Sequence, residues 1–227
     1  MSASHSAGRD GRETIIARIR EALEASGLHT PAPMPPNEGR DGLPEPAPDR
    51  AARASAFARR MEELRVSFVF CDTLEDAADG VAKMAQVSGW NTIASHEGSL
   101  LKGVNGRMNG KIVLPGADKA KLGACEAGIV ECLAMDAQTG AVLIAGAPGV
   151  MEFTATSPTL IIIGTTGRIA GSLDDAFSMA KSAGGGKLPA GLSIITGASI
   201  TAAIERKPIA RGHGPLKLVV YLALSES

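Results

Sequence analysis

The run Thr159-Leu-Ile-Ile-Ile163 constrains this chain more than any other feature. Five consecutive apolar or β-branched residues have no polar face to give to water. That pattern belongs to a strand buried on both sides, as in a parallel sheet layered between helices. What surrounds the run agrees. Val66–Cys71, Asn91–Ser95, Lys111–Leu114, Gly128–Leu133, Ala141–Ala145, Leu192–Ile195 and Leu216–Leu224 read as further strands. Between them lie helical stretches with start signals: Thr73-Leu-Glu-Asp76 is of capping-box type, and Ser172-Leu-Asp-Asp175 opens a helix that stops at Gly184-Gly-Gly186. Alternating strands and helices predict an α/β fold with a mostly parallel sheet and right-handed crossovers. Ala141–Ala145 and Leu216–Leu224 fit antiparallel positions equally well. Aromatic residues are only 3% of the 227 residues. The core must therefore be built from Ala, Val, Ile, Leu and Met, whose small members allow close helix–sheet approach.

The N-terminal part differs. Residues 12–27 read as an amphipathic helix with Ile15, Ile16, Ile19, Ala22 and Leu23 on one face, stopped by Gly27. Pro31, Pro33, Pro35, Pro36, Pro44, Pro46 and Pro48 follow, and such a stretch sustains neither helix nor central strand. The expected organisation is a helical arm and Pro-rich linker over residues 1–48, then an α/β domain over 49–227. That domain begins with a helix near 50–65 that turns Ala54, Phe57, Ala58, Met61 and Leu64 inward.

Net charge is −1, which gives no field for nucleic acid or a membrane surface. No apolar run is long enough to span a bilayer, and the polar start lacks an apolar signal core. The expected address is cytoplasmic. Cys71, Cys125 and Cys132 form no paired spacing, so reduced thiols are expected rather than a disulfide framework or an iron–sulfur cluster. No P-loop, dinucleotide fingerprint or nucleophile elbow occurs. The histidines are scattered, and no metal site is expected. No motif names a cofactor.

Candidate ligand chemistry lies in turns at predicted strand ends, where parallel sheets bind small molecules. These turns are Ser95-His-Glu-Gly-Ser99, Gln138-Thr139-Gly140, Gly164-Thr165-Thr-Gly167 and Thr196-Gly197-Ala-Ser199. In the last, Gly197 lets backbone approach a ligand, and Ser199 can cap a helix whose amides favour an anion. Thr201 and Glu205 lie on that predicted helix. His213, between Gly212 and Gly214, is a candidate acid, base or oxyanion donor. Glu97 is the acidic residue seated in a candidate ligand turn.

Three of these segments resemble the lactate-utilisation (LUD) domain family, its lactate utilization protein C members in particular. They are Asp136-Ala-Gln-Thr-Gly-Ala-Val-Leu143, Thr196-Gly-Ala-Ser-Ile-Thr-Ala-Ala-Ile-Glu205 and Gly212-His-Gly-Pro215. The resemblance implies a Rossmann-like fold of the NagB, ribose-5-phosphate isomerase and CoA-transferase group. It also implies a subunit without a cluster, acting beside iron–sulfur partner subunits in oxidation of L-lactate to pyruvate. The family's Glu-Thr-Gly stands here as Gln138-Thr139-Gly140, and neutral Ile200 and Ala203 replace its Arg and Asp. Losing the Arg removes a bidentate carboxylate clamp. Three functional classes therefore stay open. One is a lactate-utilisation subunit with a small anionic or nucleotide-like ligand. Another is a stand-alone CoA-, nucleotide- or folate-type enzyme built around Glu97. The third is a binding or assembly module without catalysis. A homo-oligomer is compatible with each.

Overall fold

A computed structural model describes residues 43–198 and 214–224, together with helical position 17. Apart from Ala17, the predicted helix at 12–27 lies outside the described residues, as do the linker before residue 43 and the predicted helix at Ser199–Glu205.

Helix α1 (Arg50–Glu63) begins where Asp49 accepts the Ala52 N–H at 2.8 Å. Its end is shorter than the apolar pattern suggests. Arg65 takes φ +55°, and Val66 N–H returns to the Met61 carbonyl at 2.8 Å. The chain turns there into β1 (Ser67–Cys71). The Thr73–Asp76 capping box forms as expected, with side chain and backbone satisfying each other at 3.0 Å in both directions, and starts α2 (Leu74–Val87). Then follow β2 (Ile93–Ser95), α3 (Lys102–Arg107), β3 (Ile112–Val113), α4 (Lys119–Gly123) and β4 (Ala127–Glu131). Next come β5 (Ala134–Asp136), β6 (Val142–Ala145), α5 (Val150–Thr156), β7 (Thr159–Thr165) and a 3-10 turn at Thr166–Arg168. β8 (Ile169–Ala170), α6 (Leu173–Ala183), β9 (Leu192–Ile195) and β10 (Lys217–Ala223) complete the order.

Six strands form a parallel sheet in the order β1-β10-β7-β4-β2-β3. The β-branched run at Thr159–Ile163 is in its interior, between β10 and β4. Pleating sends Leu160 and Ile162 to one face, where they meet Phe57 and Met61 of α1 and Phe153 of α5. Ile161 and Ile163 go to the other face, against Ala77, Ala78 and Val81 of α2 and Val104 of α3. Burying each Ile side chain is worth about 1.5–3 kcal/mol, so this strand anchors both layers. Small residues set the layer spacing. A Cβ at Gly80 of α2 would stand 2.7 Å from the Tyr221 ring.

The Leu216–Leu224 segment is parallel to both its neighbours, while Ala141–Ala145 is antiparallel. The latter belongs to a second sheet, β8-β5-β6-β9, which the sequence pattern did not separate from the first. The chain changes sheets at Cys132-Leu133. Cys132 N–H still bonds Ile163 of the first sheet at 3.0 Å, whereas Leu133 N–H bonds Leu143 of the second at 2.7 Å. Helix α6 covers the second sheet with Ala176 and Ala180. Among the described residues no helix is long and apolar enough to cross a membrane.

Candidate functional site

In a parallel sheet the loops at the carboxyl edge spread apart where successive connections leave to opposite faces. Here that happens between β2 and β4. The connection out of β2 runs through α3, packed on the face that carries Ile129 and Ile163. The connection out of β4 runs through β5 and α5, on the face that carries Leu160 and Ile162. The crevice between them is lined by polar side chains from three strand ends.

From β2 come Ser95, His96, Glu97 and Ser99. Ser95 is fully buried and donates to Asn105 Oδ1 at 2.8 Å, while Asn105 Nδ2 returns to the His96 carbonyl at 3.0 Å. This pair fixes the loop to α3. The His96 ring is held at both nitrogens: Nδ1 lies 3.0 Å from the Glu97 carbonyl, and Nε2 lies 3.4 Å from the backbone N–H of Glu131. A carbonyl can only accept and an N–H can only donate. Nδ1 is therefore the donor of the pair and Nε2 the acceptor. Glu97 is exposed at the rim.

From β4 comes Glu131. Its Oε2 accepts the Leu100 N–H at 2.8 Å and the Ser99 hydroxyl at 3.4 Å. The carboxylate lies on Gly98, where a Cβ would stand 2.6 Å from Cδ. From the turn after β7 comes Arg168. Its guanidinium donates to the Cys132 carbonyl and, at 3.4 Å, to Ser99 Oγ. Thr165, mostly buried, ends β7 on the same face as Ile163, the register partner of Glu131. Cys132 beside this crevice is no nucleophile. Burial pushes its thiol up to about 12, against the lowering effect of Arg168.

The structure brings Ser95, Glu97 and Thr165 to this edge and puts the other described candidates elsewhere. Gln138, Thr139 and Gly140 form the β5–β6 hairpin of the second sheet. Buried Asp136 accepts the Gln138 N–H at 2.9 Å, the Thr139 N–H at 3.2 Å and the Thr139 hydroxyl at 2.5 Å. Gln138 Nε2 donates to the Pro44 carbonyl at 2.5 Å, and Arg60 Nε donates to the Gln138 carbonyl at 2.6 Å. Gly140, at φ +74°, lies under α1, with Met61 Cε 2.8 Å from where a Cβ would be. Gly197, at φ +96°, faces Leu64, the residue that caps the end of the same helix. The four candidate turns thus divide between two sheets. Gly214 stands at the amino edge of the parallel sheet, its N–H bonded to the Ala155 carbonyl at 2.9 Å. Ser199, Thr201, Glu205, Gly212 and His213 lie outside the described residues.

Sequence reading did not single out Glu131, Arg168 or an apolar groove of about 500 Å³ further along the carboxyl edge. Ala54 and Ala58 of α1, Phe68 and Phe70 of β1, Thr166 and Leu224 line that groove. Phe70 is 51% exposed and Leu224 47%. An outward aromatic on an edge strand was the available signal.

Fold and crevice together define a Rossmann-like α/β protein with a polar cleft at the carboxyl edge of its parallel sheet. The family model that matches is the LUD domain, over residues 116–223. The match includes Glu131, Thr165 and Arg168 and begins after the β2 loop. A DUF162 family protein from Deinococcus radiodurans has a similar structure, with a TM-score of 0.56 at 14% identity, over 78% of this chain and 99% of that one. No curated protein matches the chain.

Proposed function

We propose that this LUD-domain protein serves lactate utilisation by holding a small carboxylate, lactate or pyruvate, in the β2–β4 crevice. The observation that carries the reading is the convergence of Arg168, Ser99, His96 and Glu131 from three strand ends at a place where the sheet's connections part. Arg168 supplies positive charge, Ser99 a hydroxyl and the Leu100 backbone an N–H donor, a donor set that suits a carboxylate. His96 holds the β2 loop against β4. On the division of labour that the family resemblance implies, oxidation of L-lactate would take place with iron–sulfur partner subunits, and this chain would present or retain the 2-hydroxy or 2-oxo acid.

The test is thermal unfolding with L-lactate, pyruvate and acetate. A ligand at 100 times its dissociation constant adds about 2.7 kcal/mol, or roughly 5–10 °C for a chain of this size. The expected result is a saturable upward shift with the 2-substituted acids, lost in Arg168→Gln. Absence of a shift with any carboxylate would overturn the reading.

The apolar groove beside Phe68 and Phe70 favours a second reading, a ligand with an apolar body such as a CoA ester, nucleotide or folate. Stabilisation by those compounds, without any by carboxylates, would select it.

A further inference from the structure

We propose that the carboxylate of Glu131 occupies the crevice's own anion seat and must leave before a ligand carboxylate can enter. The inference rests on the small-carboxylate reading above and adds how that site is regulated. Three observations carry it. The Leu100 N–H and the Ser99 hydroxyl both point at one oxygen, Oε2 of Glu131, at 2.8 and 3.4 Å. Gly98 gives the carboxylate its resting place, since a Cβ there would lie 2.6 Å from Cδ and 2.8 and 2.9 Å from the two oxygens. Arg168 reaches Glu131 through a hydroxyl: its guanidinium donates to Ser99 Oγ at 3.4 Å, and that hydroxyl donates to Oε2 of Glu131 at 3.4 Å.

A seat with an N–H, a hydroxyl and a cation behind it is built for an anion. In this structure the anion is the protein's own. Glu131 is at the last position of β4 and only half-buried, so its side chain can turn outward into water without exposing core. A ligand carboxylate would take over the same two donors, and two carboxylates cannot share them. Glu131 therefore sets a threshold that weak or neutral ligands do not pass. It favours ligands that bring a full negative charge and a second group to hold them. The ligand class is a small monocarboxylate.

The experiment is titration calorimetry with pyruvate on the full chain, comparing wild type, Glu131→Ala, Glu131→Gln and Arg168→Gln. Bonds to a charged group are worth enough that removing the internal anion should tighten pyruvate about tenfold or more in Glu131→Ala. Glu131→Gln, which keeps the size and one acceptor oxygen, should tighten it less, and Arg168→Gln should weaken it. Should Glu131→Ala fail to fold, the neutral isostere Glu131→Gln decides by the same sign. If both Glu131 variants bind pyruvate equally to or more weakly than wild type, while Arg168→Gln still weakens it, the self-occupied seat is refuted and the carboxylate site stands. If neither wild type nor the Glu131 variants bind pyruvate or lactate, the site itself is refuted and this inference with it.

Discussion

Gly140→Ala separates a structural turn from a ligand turn. Gly140 has φ +74°, a backbone region in which a side chain costs about 1–2 kcal/mol. An added Cβ would also stand 2.8 Å from Met61 Cε, 2.9 Å from Leu64 Cδ1 and 3.2 Å from Arg60 Cβ. Two of these atoms are ends of flexible side chains. The third is the Cβ of a helical residue and cannot move alone. Overpacking of this kind costs about 1–3 kcal/mol. The expected loss is about 3 kcal/mol, or roughly 6–12 °C in Tm. Gly185→Ala is the control: its φ is +68°, yet nothing lies within 4 Å of the added Cβ, so only the backbone cost applies. Urea unfolding followed by far-ultraviolet circular dichroism gives both values. If the two variants lose the same stability, the hairpin does not bear on α1 as argued. Pyruvate binding by Gly140→Ala, measured well below its Tm, should match wild type, because the β2–β4 crevice shares no residue with this contact.

Four further outcomes follow from local chemistry. Burial raises all three thiols, Cys71, Cys125 and Cys132, above their ordinary value; a thiol reagent at pH 8 should label none of them rapidly in the native protein and all of them in urea. For Cys132 the raised value, about 12 against 9.0, means that its contribution to stability is complete below pH 9 and is lost between 9 and 12; Cys132→Ala should flatten the alkaline limb of the stability curve. Glu126 is lowered by the backbone N–H groups of Asn91 and Thr92, so its contribution is present above about pH 4.5 and lost as pH falls further; Glu126→Gln should make acid unfolding less steep in that range. Thr73→Ala removes the capping-box side chain and should cost about 1 kcal/mol, with Thr73→Ser restoring most of it in chemical denaturation.

The parallel sheet was legible because its signals are local. A run with no polar face at Thr159–Ile163, and caps at Thr73 and Ser172, each act within a few residues. The second sheet was not legible. Ala134–Asp136 and Ile169–Ala170 are too short to display a period, and they are strands only because β6 and each other's edges complete their hydrogen bonds. The site divides along the same line. Ser95 and Thr165 were reached from turn chemistry after a strand. Glu131 reads as an ordinary strand end, and nothing in the order of residues says that Arg168, 36 positions beyond Cys132, bonds its carbonyl. Gln138-Thr139-Gly140 shows the converse difficulty. A hydroxyl followed by a glycine of positive φ suits a ligand turn and a tight hairpin equally, and here the hydroxyl is spent on Asp136.

Gln138 illustrates how a departure from a family pattern can be a packing requirement rather than lost chemistry. Its amide Nε2 donates to the Pro44 carbonyl at 2.5 Å, tying the segment before α1 to the hairpin. A glutamate at 138 would set a carboxylate oxygen against that carbonyl, acceptor against acceptor. Gln138→Glu should therefore cost about 1–2 kcal/mol at neutral pH, since the bond is lost and the Pro44 carbonyl must find water. A protonated carboxyl can donate, so the folded state would favour the neutral acid and raise the variant's pKa above the ordinary carboxylate value. The penalty should then be present at neutral pH and shrink as pH falls toward 4. Stability of Gln138→Glu relative to wild type, measured between pH 4 and 8, is the check. A penalty independent of pH, or none at all, would mean that the neutral residue at 138 is not held there by Pro44, and the loss of charge would return to the ligand chemistry as its explanation.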